Sequence, residues 1–251
     1  MTRARLLRLA ALTLLLALAG PVAWTAATRD VPAYAWHQAP HAPAGLAPSP
    51  AEEPRAVVQV YAARAFAWRG IFAVHTWVVT KPAGADAYRR YDVVGWGGGR
   101  VAVNRHAPDA QWYGAAPTLL ADVRGEQAAR LIPRIEAAVA DYPYATTYRT
   151  WPGPNSNTFV AHIGRSVPEL GLDMPANAIG KDYRPLAEAI GTPPSGSGVQ
   201  VSLLGALGVI VSPREGVEVN VLGLSAGIDL DGPALRLPAV GWWPPQVEGR
   251  E

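Results

Sequence analysis

The 251-residue sequence predicts an α+β fold: an antiparallel sheet packed with a few helices, followed by a small β-rich appendage at the C-terminal end. Three observations carry that expectation. Apolar, β-branched runs separated by Gly- and Pro-containing turns crowd the segment from Val57 to Val103. Two helical patterns follow between Gly125 and Ser166. Short strands punctuated by glycine then fill Val199–Leu237.

Residues 1–27 read as a signal peptide or a membrane anchor. Arg3, Arg5 and Arg8 form a positive flank, and Leu9–Ala27 carries no charge. A cleavable signal would end near Thr25-Ala26-Ala27, whereas an anchor would use the whole run, close to the minimum that spans a bilayer. Either way the chain is expected in the cell envelope, exported or tethered to the inner membrane with its N-terminus in the cytoplasm. Residues 28–54, rich in Pro, Ala and His, are expected to form an extended linker. His37 and His41 lie within it, but Pro40 breaks the helix that would bring them together on a metal.

Residues 55–190 should form the core domain. Val57–Tyr61 reads as a strand, and Gly70–Val79 as a longer one, apolar enough to be buried on both faces. Tyr88–Trp96 and Val101–Val103 follow as strands joined by the Gly97-Gly98-Gly99 turn. That glycine run is no phosphate cradle, because strand-like residues rather than a helix start come next. Gly125–Tyr142 shows a helical stripe of Leu131, Ile132, Ile135 and Val139, with Pro133 expected to kink it or to open a second helix. After the rigid turn Trp151-Pro152-Gly153-Pro154, a helix is expected over Asn155–Ser166.

Residues 191–251 form the expected appendage, with turns at Pro213–Gly216 and Asp231–Pro233. Leu203–Val211 is apolar enough to touch a membrane surface but too short to span one as a helix, and is read as a buried strand.

Charge and composition narrow the function classes. The formal charge is +2, but with the three leader arginines set aside 19 basic residues face 20 acidic ones, so no basic face for nucleic acid is expected. Cysteine is absent, which excludes disulfides, a thiolate nucleophile and a cysteine-ligated metal. No cofactor is expected.

The chemistry-bearing stretch is Asn155-Ser156-Asn157-Thr158-Phe159, at the start of a helix. A serine there can use the helix dipole and backbone N–H groups, provided a base lies within reach. His75, on an apolar strand where burial favours the neutral ring, is the expected base, with Asp92 orienting it and Asn155 or Asn157 donating to an oxyanion. The bland reading is a core histidine and an Asn/Ser helix cap. A hydrolase or acyl transferase of amides or esters competes with a non-catalytic envelope module. The module would bind peptidoglycan, lipid or a protein through the same cleft or through Trp68, Trp77, Trp96, Trp112 and Trp151.

The segments Trp68–Trp77, Tyr142-Pro143-Tyr144, Trp151–Phe159 and Ala178–Tyr183 resemble those of a bacterial family, domain of unknown function 3750. A strand histidine preceding a helix that begins Asn-Cys-Asn-x-Phe also resembles the circularly permuted papain-like proteins, among them lecithin:retinol acyltransferase-like enzymes and permuted peptidases. That second resemblance implies a permuted papain-like sheet with His75 as base and Ser156 in the cysteine's place. The exchange removes the thiolate, so it implies a serine variant or a site that only binds.

Overall fold

The computed structural model describes residues 2–30, 34–230 and 232–245. Asp231 of the expected Asp231–Pro233 turn, part of the expected linker (31–33) and the end of the expected appendage (246–251) lie outside the described residues. The N-terminal segment forms helix α1 (Arg3–Thr28), whose most apolar 18-residue window has a mean hydropathy of 2.0, long and apolar enough to cross a membrane.

The first sheet is built from β1 (Val57–Arg64), β2 (Val74–Lys81), β3 (Arg89–Val93), β4 (Val101–Val103) and β5 (Thr118–Arg124). Its order is β4-β3-β2-β1-β5, antiparallel throughout. The strand expected from Gly70 starts later, because Arg69–Phe72 makes one helical turn, α2. Gly70 is required there: a Cβ would stand 2.5 Å from the Ala65 carbonyl oxygen. At the β3–β4 connection Gly98 and Gly99 take positive φ, as a glycine hairpin turn demands.

Period-two alternation gives this sheet two apolar faces. Val58, Val60, Val74, Val78, Tyr91 and Val93 pack against α3 (Gly125–Ala140) and α4 (Ser156–Ser166) through Leu131, Ile135, Phe159 and Ile163. α3 is a single helix that contains Pro133. Val57, Tyr61, Trp77 and Val79 point the other way, under Tyr88, Trp112 and Leu46. The segment expected as a linker helps to cover that second face. The Asp109 carboxylate accepts from the Leu46 and Ala47 amides at 2.7 and 3.2 Å, and the Tyr88 hydroxyl donates to the Pro48 carbonyl at 2.9 Å. This proline-rich stretch is thus fixed to the domain by side chains and by a short antiparallel bridge, in which the Ala44 amide donates to the Asp109 carbonyl and the Gln111 amide to that of Ala42.

The remaining strands are β6 (Ile190–Gly191), β7 (Val199–Leu203), β8 (Leu207–Ser212), β9 (Gly216–Val221), β10 (Leu224–Asp229), β11 (Ala234–Leu237) and β12 (Gly241–Trp243). They form one meander in which each strand pairs with its sequence neighbours. Its inward face is polar. Asp182 accepts from Gln200 (3.1 Å), Asn220 (2.9 Å) and Ser225 (3.2 Å), while Lys181 pairs with Glu218 and Arg236 with Asp173. Its outward face is apolar and open to solvent. The expectation that Leu203–Val211 is buried is therefore corrected: Ile210 alone of this stretch's large side chains turns inward, and Leu203, Leu207, Val209 and Val211 are exposed. Helix α1 packs against α2, β10 and β11, and Leu18 and Thr25 are buried.

Candidate functional site

Helix α4 begins where its sequence says it should. Asn155 is extended (φ −151°), and its side-chain oxygen accepts from the Asn157 and Thr158 amides at 2.9 and 3.2 Å. Thr158 Oγ1 accepts in return from the Asn155 amide at 3.1 Å, completing a reciprocal cap. Both amide nitrogens of the motif are also fully used. Asn155 Nδ2 donates to the Thr150 and Ile179 carbonyls at 3.2 and 3.0 Å, and Asn157 Nδ2 to those of Val74 and Ile179 at 3.0 and 2.7 Å. An NH2 group has two protons, so neither asparagine keeps a donor for a substrate oxyanion. The motif instead fastens the helix start to β2 and to the 177–182 loop, where Gly180 is obligatory because a Cβ would lie 2.4 Å from the Asn155 amide.

His75 and Asp92 do meet. β3 pairs Tyr91 with Val78 of β2, so Asp92 and His75 share the face opposite Tyr91. His75 Nε2 lies 3.0 Å from Asp92 Oδ1, and Arg90 closes the group with Nε 2.6 Å from Asp92 Oδ2. Burial works to raise the Asp92 pKa, but the His75 hydrogen bond and the Arg90 charge outweigh it and hold the carboxyl at about 2. Burial pushes the His75 pKa down, so the ring is neutral at pH 7. A carboxylate only accepts, so Nε2 carries the imidazole proton and Nδ1 is left as the basic nitrogen. Trp112 lies flat on the imidazole, with centroids 3.6 Å apart and planes 11° from parallel.

Ser156 does not join them. Thr76, the neighbour of His75 on β2, is the residue that faces α4: its hydroxyl donates to Asn157 Oδ1 at 2.9 Å. Adjacent strand residues point to opposite faces, so Thr76 turns to the start of α4 while His75 turns to Asp92 and Trp112. Of the expected Ser156, His75 and Asp92, the structure brings His75 and Asp92 together with Arg90, and Ser156 lies buried at the start of α4. The neighbour of Ser156 is Tyr148, whose pKa burial raises and whose hydroxyl interacts with the serine side chain. Arg90 could have been found from the sequence, being two residues from Asp92 on a strand. Trp112 and Tyr148 lie in loops and carried no such signal.

The expected tryptophan surface divides as well. Trp77 and Trp112 are buried, while Trp68, Trp96 and Trp151 are exposed. Trp151 is committed to the β9–β10 turn, donating to the Leu222 carbonyl at 2.8 Å. Trp96 continues the stack from His75 through Trp112 to solvent, with centroids 6.1 Å apart and planes at 13°, and Arg105 lies 5.8 Å over its ring. Beside this stack Pro43, Tyr88, Arg90, Asn104, His106 and Asp109 line a groove of ≈ 470 Å³. His106 stacks on His41 at 4.2 Å, and its pKa is lowered to about 4 by burial and by the His41 and Arg90 charges. Among the described residues, no group of three His, Cys, Asp or Glu side chains could hold a metal ion.

No curated protein and no solved structure matches the chain. Residues 55–183, about half of the sequence, match the family model described as "Protein of unknown function (DUF3750)". That span takes in the whole first sheet, α3, α4 and the loop that receives the Asn155 and Asn157 side chains. The chain belongs to this family.

Proposed function

We propose that the protein is a non-catalytic binding module of the cell envelope, anchored by α1, which takes a glycan of the peptidoglycan type at the solvent end of the His75–Trp112–Trp96 stack. The observation that carries this reading is the exposed Trp96 indole, backed by a buried aromatic column and bordered by Arg105 and the Arg90–His106 groove. A sugar ring offers C–H bonds to an indole face and hydroxyls to nearby polar groups, which suits a rigid, half-wet aromatic surface.

A serine hydrolase needs an activated hydroxyl, and the binding reading is supported by the contacts of His75, which are to Asp92 and Trp112. The expected results are saturable quenching of tryptophan fluorescence by soluble glycan fragments of peptidoglycan, an affinity at least about 10-fold weaker in Trp96→Ala, as loss of an aromatic anchor implies, and no difference in fluorophosphonate labelling between wild type and Ser156→Ala. Labelling that disappears in Ser156→Ala would restore the hydrolase reading. Unchanged glycan affinity in Trp96→Ala would remove the binding surface proposed here.

A further inference from the structure

We infer that the outward face of the seven-stranded sheet is a membrane-docking surface resting on the boundary between lipid headgroups and acyl chains. The strand pairings align Val199, Val211, Val217, Ile228, Leu235 and Trp243 in one continuous row across β7–β12, all exposed. Val201, Val209 and Val219 form the next row, and Leu203, Leu207 and Val221 a third. The charged residues of β7–β12 are Glu218, Asp229 and Arg236, and all three turn inward and are buried. A contiguous apolar sheet face with no charge in it is unusual in water and marks an interaction surface.

Helix α1 identifies the occupant. Its uncharged run Leu9–Ala27 is about 28 Å long at 1.5 Å per residue, against roughly 30 Å of bilayer hydrocarbon, so a span must use all of it. Helix α1 contacts β10 and β11, and its buried side chains Leu18 and Thr25 lie in the second half of that run. Those two strands therefore stand at the depth of one leaflet when α1 crosses, and the apolar rows that continue from Ile228 and Leu235 meet lipid. The main-chain groups between β6 and β12 are taken up by strand pairing, so this face offers the bilayer side chains alone. Docking of this kind buries side chains without a further crossing.

The test uses the full chain, reconstituted in vesicles of phosphatidylethanolamine and phosphatidylglycerol. The native sequence has no cysteine, so a single substitution places one environment-sensitive fluorophore. Labels at Val209→Cys and Leu235→Cys should emit at shorter wavelength than one at Asp86→Cys on the β2–β3 turn. They should be quenched by lipids carrying a spin label on the acyl chain and protected from iodide, with the Asp86 label showing the reverse. Iodide quenching at Val209 equal to that at Asp86 would overturn the proposal. So would protection from both quenchers together with disulfide formation between two Val209→Cys chains, which would assign the face to a second copy. The α1 anchor is present in every variant, and near-ultraviolet circular dichroism reports whether each retains the fold. None of these readouts depends on glycan binding.

Discussion

The two sheets of this protein obey the same alternation and solve burial in opposite ways. In the five-stranded sheet both faces are apolar and covered, one by α3 and α4 and the other by the 34–54 segment and the loops around Trp112. In the seven-stranded sheet the inward face holds Gln200, Ser202, Glu218, Asn220 and Arg236, and the valines and leucines face out. The first is stabilised by removing apolar surface from water. The second depends on a polar layer in which each buried charge must find a partner, an arrangement that is costly to disturb from either side. A polar interior contributes less to stability than an apolar one. What the second sheet gains is a large uncharged outer surface.

The comparison can be broken most directly at Arg236, which is fully buried between Asp173, Glu218 and Asp229. Arg236→Met removes the cation that these carboxylates share, leaving Glu218 to Lys181 alone, and should cost about 3–5 kcal/mol in a denaturant titration. In the first sheet the comparable loss comes from volume. Phe159→Ala empties a site at 0% exposure and should cost about 3–5 kcal/mol with no dependence on salt. Asn157→Ala removes three hydrogen bonds, to Val74, Ile179 and Thr76, and should cost about 1–3 kcal/mol.

Acid separates the sheets by sign. His75 and Asp92 both have folded-state pKa values below their ordinary ones of 6.5 and 3.8, so the unfolded chain takes up protons first. Their stabilisation is full above about pH 6.5 and is lost as pH falls, with Asp92 contributing down to about pH 2. Asp173 behaves oppositely. Burial outweighs its Arg236 partner and pushes it up to about 6, so its contribution is present below pH 3.8 and is lost as pH rises through about 6. Thermal unfolding followed from pH 7 to 3 should show falling stability, and Asp173→Asn should steepen the fall between about pH 6 and 4 by roughly 2 kcal/mol. The smallest effect is the sharpest contrast. Val209→Ala, on an exposed apolar row, should change stability in detergent-free buffer by less than about 0.5 kcal/mol, although a valine is lost from a sheet.

Much of the framework was legible in the sequence. The periodic stripe ending before Pro143 placed α3 to within two residues, and the Asn/Ser/Thr cluster placed the α4 cap, because capping chemistry is local. The turn at Arg69–Phe72 was not legible, since its residues read as strand and the bend depends on Gly70 fitting against Ala65. Nor was the packing of residues 34–54, which rests on Asp109 and Tyr88, far away along the chain. At the site, the pairing of His75 with Asp92 followed from strand order, while the place of Ser156 did not.

The sequence by itself determined partitions. It settled that His75 and Thr76 point to opposite faces of one strand, and that the valines of β7–β9 share a face that Gln200, Glu218 and Asn220 do not. It could not determine which side of either partition is the inside. A period of two is unchanged when the faces are exchanged, so the choice falls to whatever packs against the sheet. Tertiary structure made that choice twice: α4 presents Asn157 to Thr76, which leaves His75 to Trp112, and the 173–182 loop brings Asp173, Lys181 and Asp182 under the second sheet, which turns its valines outward.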